Sequence, residues 1–360
     1  PNSAMDGYAV LAEDTAKASQ SEPARLRVVG TVAAGAVPDR SVKRGEAVRI
    51  MTGAPMPDGA DAIAIVEVTT IDGEEVLVRQ PSVLGMSIRH PGGDIRAGQE
   101  VFPAGTALSP GHLGVLASIG WERVTVYRRP RVGVLSTGDE LVLGSAPLQP
   151  GQIRDVNRIT LLALCREAGF DAVDLGTARD DEDEIRETFA RGLATCDALL
   201  SSGGVSMGDF DYVKKVLDEI GDMTWMQVAI RPAKPFAFGQ VKGTPMFGLP
   251  GNPVSAMVSF ELFARPGIRQ MMGYRGDARY RTRVRGIADE GFARRPDGKL
   301  HLDRVVAAHS PADGRFHVRS AGGQESHLLK AMARANALAM VPDGDGIAPG
   351  SEVDMLFLET

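Results

Sequence analysis

The feature that most restricts the fold is a strand, a glycine loop and a helix start set end to end between Asp197 and Ile220. Asp197-Ala198-Leu199-Leu200 carries a short apolar run of the kind that forms a buried parallel strand. SSGGVSMGDFDY fills 201–212, and Val213, Val216, Leu217 and Ile220 then recur at helical spacing, with Lys214, Lys215, Asp218 and Glu219 on the other face. Gly203, Gly204 and Gly208 let the backbone take positive φ and approach a ligand closely. Free amides at the helix start and the positive end of its dipole favour phosphate there. Asp211 would do the opposite job and hold a hard cation that bridges to phosphate oxygens. The same residues also fit a plain turn, with Asp209 as N-cap and Asp211 complementing the dipole. The loop is neither a GxGxxG fingerprint nor a Walker A loop.

The rest of the chain agrees with an α/β centre flanked by β modules. From 131 onward apolar strands alternate with helices: Val132–Leu135, a helix over 155–167, Ala172–Leu175, a helix over 182–194, then the glycine loop. Strands at 225–230, 234–241 and 245–249 follow, and a long helix after Pro253 is bent at Pro266. This alternation predicts a doubly wound, mostly parallel sheet. Residues 26–83 and those after 281 instead show short period-two strands between turn residues, which predicts two small β domains. The 42 glycines and 22 prolines fit that many turns. GTALSPGHLGVLASIG reads as a helix with Pro110 at its first position and Gly120 as its stop, and WERVTVYRR after it reads as a strand.

A net charge of −6 makes nucleic acid an unsuitable general partner, so any anion must meet a local basic cluster. The two cysteines, Cys165 and Cys196, form no CxxC pair and read as buried free thiols of a reducing cytosol. No run has the length of a membrane-spanning helix and no signal peptide is visible, so a cytoplasmic location is expected. The chain opens at Pro1 inside a motif, so a preceding natural segment is also expected.

In a doubly wound sheet, ligands bind outside the carboxyl ends of the strands. The loops expected there are STGDEL with Asp139 and Glu140, TARDD with Asp180 and Asp181, the 201–212 loop, RPAKP with Arg231 and Lys234, and GLPGNP. The last carries Pro250, Asn252 and Pro253 into a helix start, with Ser255 in the first turn. Glycine amides, two cations and several carboxylates, without Cys or His, suit phosphate with Mg²⁺ and argue against zinc. Ser202 and Ser206 have no GxSxG frame and no expected histidine neighbour, which disfavours a Ser-His-Asp hydrolase. Arg89, His90, Asp94 and Arg96 surround a Pro-Gly-Gly turn that reads first as solvated surface.

NSAMDGYAV, RIMTGAPMPDGADAI, STGDEL, GQIRDVNR, SSGGVSMGDFDY, RPAKPFAFG and GLPGNPVSA, in that order and spread over nearly the whole chain, resemble the MoeA family of molybdopterin molybdenumtransferases, related to the gephyrin E domain. The resemblance implies a MogA-like α/β domain (130–281) flanked by a small β domain (25–94), an elongated N-terminal region (1–24 with 95–129) and a C-terminal β-barrel (282–360). It implies molybdenum insertion from molybdate into adenylylated molybdopterin, with Mg²⁺-promoted release of AMP. It also implies a homodimer whose active site is shared between subunits, and the pathway's adenylyltransferase as a partner. Catalytic positions carried over are Asp6, Thr52, Asp94, Glu140, Asp180 and Asp211, with Asp211 and Glu140 on the metal. Substrate-binding positions are Arg89, Ser202, Gly203, Gly204, Ser206, Gly208, Arg231, Lys234, Pro250, Asn252, Pro253 and Ser255. One departure is Arg231, where many relatives carry lysine; a guanidinium keeps the charge and forks to an oxyanion. Molybdopterin adenylyl transfer and a gephyrin-like scaffold are the alternative roles.

Overall fold

The computed structural model describes residues 1–205 and 212–358 and divides into two compact units, Pro1–Ala104 and Gly105–Thr360. The first contains β1 (Asn2–Ser3), β2 (Gly7–Val10), α1 (Ala12–Thr15), β3 (Ala24–Val32), β4 (Glu46–Ile50), β5 (Ala62–Ile65), β6 (Thr69–Asp72), β7 (Glu75–Val78) and β8 (Ile88–Arg89). Six strands form one sheet in the order β5-β2-β4-β3-β7-β6, and β1 pairs with β8. GYAV is apolar throughout because both of its faces are covered. Tyr8 and Val10 pack with Leu26, Val76 and Val78, while Ala9 packs with Val48, Ile50 and Ile63. β2, whose residues were read from sequence as part of an elongated region, is thus an inner strand of this sheet.

The second unit opens with α2 (Pro110–Ser118), which has Pro at its first position and a reciprocal Ser109–His112 capping box. Gly120, at φ 75°, follows its end. Residues 121–130, expected as a strand, form none. Their alternation is strand-like, but among the described residues no strand pairs with them, and Trp121 and Val126 are 61% and 64% exposed.

Next come β9 (Arg131–Thr137), β10 (Leu141–Val142), β11 (Ile153–Arg154), α3 (Asn157–Glu167), β12 (Asp171–Ala178), α4 (Glu182–Thr195), β13 (Ala198–Ser202), α5 (Tyr212–Ile220), β14 (Asp222–Gln227), β15 (Ile230–Arg231), β16 (Pro235–Val241) and β17 (Thr244–Leu249). The sheet order is β12-β9-β13-β17-β16-β14. The first four strands are parallel and the last two antiparallel, so the expected parallel sheet carries an antiparallel edge. One core holds Leu161, Cys165, Phe260 and Ile268 against the sheet, and another holds Ile185, Phe189, Val216 and Leu217. Helices therefore cover both faces. Each such fully buried side chain contributes roughly 1.5–3 kcal/mol.

The long helix is α6 (Pro253–Ser259), a π-helical turn over Phe260–Ala264, and α7 (Arg265–Met271). Its irregularity precedes Pro266 and has two sources, the π turn and the missing proline N–H.

The C-terminal part contains β18 (Arg283–Ala288), β19 (Phe292–Ala293), β20 (Leu300–His309), β21 (Phe316–Ser320), α8 (Leu329–Arg334), β22 (Ala337–Val341), β23 (Gly346–Ile347) and β24 (Glu352–Phe357). Pairing runs β20-β21-β18-β24-β22 and returns from β22 to β20, closing a five-stranded barrel around Val305, Val318, Ala339 and Met355. β19 and β23 form a separate antiparallel pair. β15 adds to β20 in parallel, bringing Ile230 and Arg231 beside Leu300 and His301. Val254 and Val258 of α6 pack with Leu302, Met332 and Leu338. The barrel therefore shares a core with α6 and β15. No described helix is long and apolar enough to cross a membrane.

Candidate functional site

Register brings the expected rim together. Ser202 lies beside Ser136 on one side and Leu249 on the other, and Ala178 lies beside Thr137. β9, β12, β13 and β17 therefore end side by side. β16 runs the opposite way, with Ala237 opposite Gly248, so its first residues start at the same edge. The loops after Thr137, Ala178, Ser202 and Leu249 and the segment 231–234 thus gather at the carboxyl edge of the parallel strands, where α/β sheets bind ligands.

Glycines shape this edge. Gly203, at φ 94°, donates its amide to Leu249 O at 3.1 Å. A Cβ on Gly203 would crowd Thr137 O at 3.1 Å, and one on Gly204, at φ 70°, would collide with Val213 in the first turn of α5. Gly138, at φ 146°, lies so close to the Glu140 carboxylate that a Cβ would overlap it. Glu140 is exposed, and its carbonyl accepts from Ile153 N at 2.8 Å, fastening STGDEL to the β11 segment.

On the acidic side, Asp180 N donates to Asp139 Oδ1 at 3.1 Å, and both residues are exposed. Asp181 caps α4 through Glu184 N at 3.0 Å, a structural task. On the basic side Arg231 and Lys234 are both exposed, around buried Pro232 and Ala233. Pro250 and Ser255 are buried, Asn252 is exposed, and Pro253 stands first in α6. The Val254 amide is already bonded to Ser326 O at 3.1 Å, so not every donor of that helix start is open to a ligand. Ser206, Gly208, Asp209 and Asp211 lie outside the described residues. Among the described residues no group of three or more His, Cys, Asp or Glu side chains is gathered to hold a metal. Exposed Asp139, Glu140 and Asp180 are hard oxygen donors of the kind Mg²⁺ prefers.

Sequence reasoning assigned no role to three residues of GQIRDVNR or to one barrel arginine. Asp155, 2% exposed, accepts from Ser136 Oγ (3.0 Å), Thr177 Oγ1 (2.8 Å), Arg158 N (3.1 Å) and Arg158 Nε (3.2 Å). Burial opposes the charge on Arg158, but its bonds to Asp174 and Asp155 outweigh it and raise the guanidinium's pKa. Asn157 Nδ2 donates to Ser202 Oγ at 2.7 Å and to Gly251 O at 2.6 Å. Arg304 on β20 is fully buried, and its Nη2 donates to Gly323 O and Glu325 O. Burial depresses its pKa against the opposing pull of Asp303 and Glu325, with a smaller lowering from Arg231. The sequence signal for all four was a charged or amide side chain where the apolar pattern demanded burial.

In the first unit, Asp6 and Thr52 meet: Thr52 N and Oγ1 donate to Asp6 Oδ1 at 2.7 and 2.8 Å. The backbone bond first and the side-chain bond second hold the Asp6 carboxyl below its usual pKa. Arg89 pairs with Asn2 in the separate two-stranded β1–β8 sheet, and Asp94 is exposed in the turn that follows.

Both cysteines are free and buried, and burial pushes the Cys165 thiol up to about 12, so it is no nucleophile at neutral pH. A cavity of about 480 Å³ opens away from the rim, lined by Glu167 at the far end of α3, Met257, Arg281 and Met332.

Comparison with known proteins covers nearly the whole chain. Residues 1–120 match the MoeA N-terminal region (domain I and II), 133–270 a probable molybdopterin binding domain, and 292–358 the MoeA C-terminal region (domain IV). Molybdopterin molybdenumtransferase 2 of Mycobacterium tuberculosis is 39% identical over 98% of this chain and 87% of its own. The molybdopterin molybdenumtransferase of Nostoc sp. is 37% identical over 99% of this chain and 82% of its own. A crystal structure of the molybdopterin biosynthesis MoeA protein of Pyrococcus horikoshii superposes with a TM-score of 0.83 at 28% identity, covering 99% of this chain and 87% of that one.

Proposed function

The chain belongs to the MoeA family of molybdopterin molybdenumtransferases, and from that premise we propose that it transfers molybdenum from molybdate to adenylylated molybdopterin with release of AMP. The observation that carries the reading is the gathering of five loops at the carboxyl edge of the parallel strands, with exposed Arg231 and Lys234 beside glycine amides and exposed carboxylates.

Both reactants are anions and the protein is acidic, so attraction must be local. Arg231 forks to an oxyanion and Lys234 supplies a point charge. The buried guanidinium of Arg304 adds positive potential from the barrel side. Gly203 and Gly204, lacking side chains, let phosphate oxygens reach the backbone. Asp211 with Glu140 or Asp180 would hold Mg²⁺, which would screen the phosphates and the negative charge left on AMP. Asp6 and Asp94 position substrate or carry protons, and the Thr52 bonds hold the Asp6 carboxyl below its usual pKa.

The proposal includes a cytoplasmic homodimer in which the Asp6–Thr52 face of each copy serves the other copy's site. The exposed side chains of Leu113, Trp121, Val126 and Tyr127 give such a dimer apolar surface to bury. Since the substrate arrives adenylylated, an adenylyl-transferring enzyme must supply it and is the expected partner. The test is chromatography of adenylylated molybdopterin incubated with the protein: AMP should appear only when molybdate and Mg²⁺ are both present. Pyrophosphate formed from ATP and molybdopterin would assign the protein to adenylyl transfer instead.

A further inference from the structure

Two of the loops proposed to hold the adenylate phosphates are joined by a single side chain. Asn157 is the first residue of α3 and is 8% exposed. Its Nδ2 donates to Ser202 Oγ at the end of β13 and to Gly251 O in the loop after β17. The orientation of the amide is not arbitrary: a carbonyl oxygen only accepts, so the atom facing Gly251 O must be the nitrogen. The neighbours hold this geometry in turn. Gly203 N bonds Leu249 O across the same two strands, and a Cβ on Gly251 would come within 3.9 Å of Gly203 Cα. Asp155, two residues earlier, bonds Arg158 N and Nε and so fixes the turn from which Asn157 projects.

We propose that Asn157 is a positioning residue that sets the spacing of the 203–205 and 250–252 loops and aims the Ser202 hydroxyl at the adenylate phosphate. Ser202 is 2% exposed, and among the described residues its Oγ accepts from Asn157 and donates to none, which leaves its proton to point toward a ligand oxygen. A hydroxyl that donates into the protein could not play this part, as Ser136 illustrates by giving its proton to Asp155. Asn157 touches no reacting atom, so it acts on how well the substrate is held. The inference rests on the reading of this rim as the adenylate site.

The experiment compares wild type, Asn157→Asp and Ser202→Ala by calorimetry with AMP and Mg²⁺, and by steady-state AMP release from adenylylated molybdopterin. Asn157→Asp is nearly isosteric but sets oxygen against the Gly251 carbonyl. It should weaken AMP binding about tenfold or more and raise KM by a similar factor, with kcat changed less than about threefold, as loss of uniform binding requires. Ser202→Ala keeps the Gly251 bond and removes only the oriented hydroxyl, so its expected effect is smaller and of the same kind, at an unchanged melting temperature. Wild-type AMP affinity in both variants, or a loss confined to kcat, would overturn the inference. A wild type that binds AMP but never releases it from adenylylated molybdopterin would sink the reaction assigned above, and the AMP isotherms would still decide the role of Asn157.

Discussion

Thr52 places two hydrogen bonds on one oxygen of Asp6, from its amide at 2.7 Å and its hydroxyl at 2.8 Å, although the residues stand 46 positions apart. Both stabilise the carboxylate over the acid. Thr52→Val keeps the amide bond and removes the hydroxyl, so the Asp6 titration should move upward while staying below the ordinary aspartate value. Carbon-detected NMR of the carboxyl group measures this; an unmoved titration would mean that the hydroxyl bond does not hold the charge.

Asp155 accepts four hydrogen bonds from three segments with its side chain wholly buried. Asp155→Ala leaves two hydroxyls and the Nε of the buried Arg158 guanidinium without their acceptor, although Arg158 keeps Asp174. The expected loss is roughly 3–5 kcal/mol of unfolding free energy, read as a lower urea midpoint. A loss under about 1 kcal/mol would show that the network is replaceable.

On the barrel, the two ring nitrogens of His317 face Asp289 and Asp313, and Arg319 also reaches Asp289. The Asp289 bond first, then Asp313, raises the His317 pKa above 6.5. The His317 bond first pushes Asp313 down to about 2. A histidine with a raised folded pKa stabilises fully below 6.5 and loses that contribution as pH climbs through the folded value. The aspartate contributes above 3.8 and loses it as pH falls toward about 2. The cluster is therefore most stabilising between 3.8 and 6.5. Melting curves of wild type and His317→Gln should differ most in that window and converge above it. Parallel curves at every pH would refute the linkage.

Arg231 is carried on β15, which pairs with β20, so the barrel fixes the backbone of the α/β domain's exposed guanidinium. Arg231→Ala should weaken molybdate or phosphate binding about tenfold to a hundredfold, the loss expected for a charge-assisted hydrogen bond of roughly 1.5–3 kcal/mol. Isotherms matching wild type would remove this residue from the anion site. Asp211→Ala should abolish Mg²⁺-dependent AMP release and leave the protein folded; full activity in that variant would remove its metal role.

The α/β domain was legible because its signals are local. Apolar runs such as Ala198–Leu200 and helical spacing such as Val213–Val216–Leu217 each determine an element from nearby residues. Rim loops followed from a general rule about strand ends, which placed Glu140, Asp180, Ser202 and Arg231 at one edge before any distance was known. What sequence could not supply were partners distant along the chain. WERVTVYRR alternates like a strand but pairs with none among the described residues. Barrel closure depends on β22 returning to β20, which no pattern inside either strand encodes. Asn157 sits in a motif whose order was informative, yet its partners Ser202 and Gly251 lie 45 and 94 residues away.

The central claim is that this strand-end rim moves molybdenum onto an adenylylated pterin. Its most direct measurement is elemental mass spectrometry of the pterin fraction after the purified protein has met adenylylated molybdopterin, molybdate and Mg²⁺. The account predicts about one molybdenum per pterin, matched by one AMP released, and neither product when Arg231 and Lys234 are both replaced by alanine. A metal-free pterin still carrying its adenylate after incubation with the wild-type protein would contradict it.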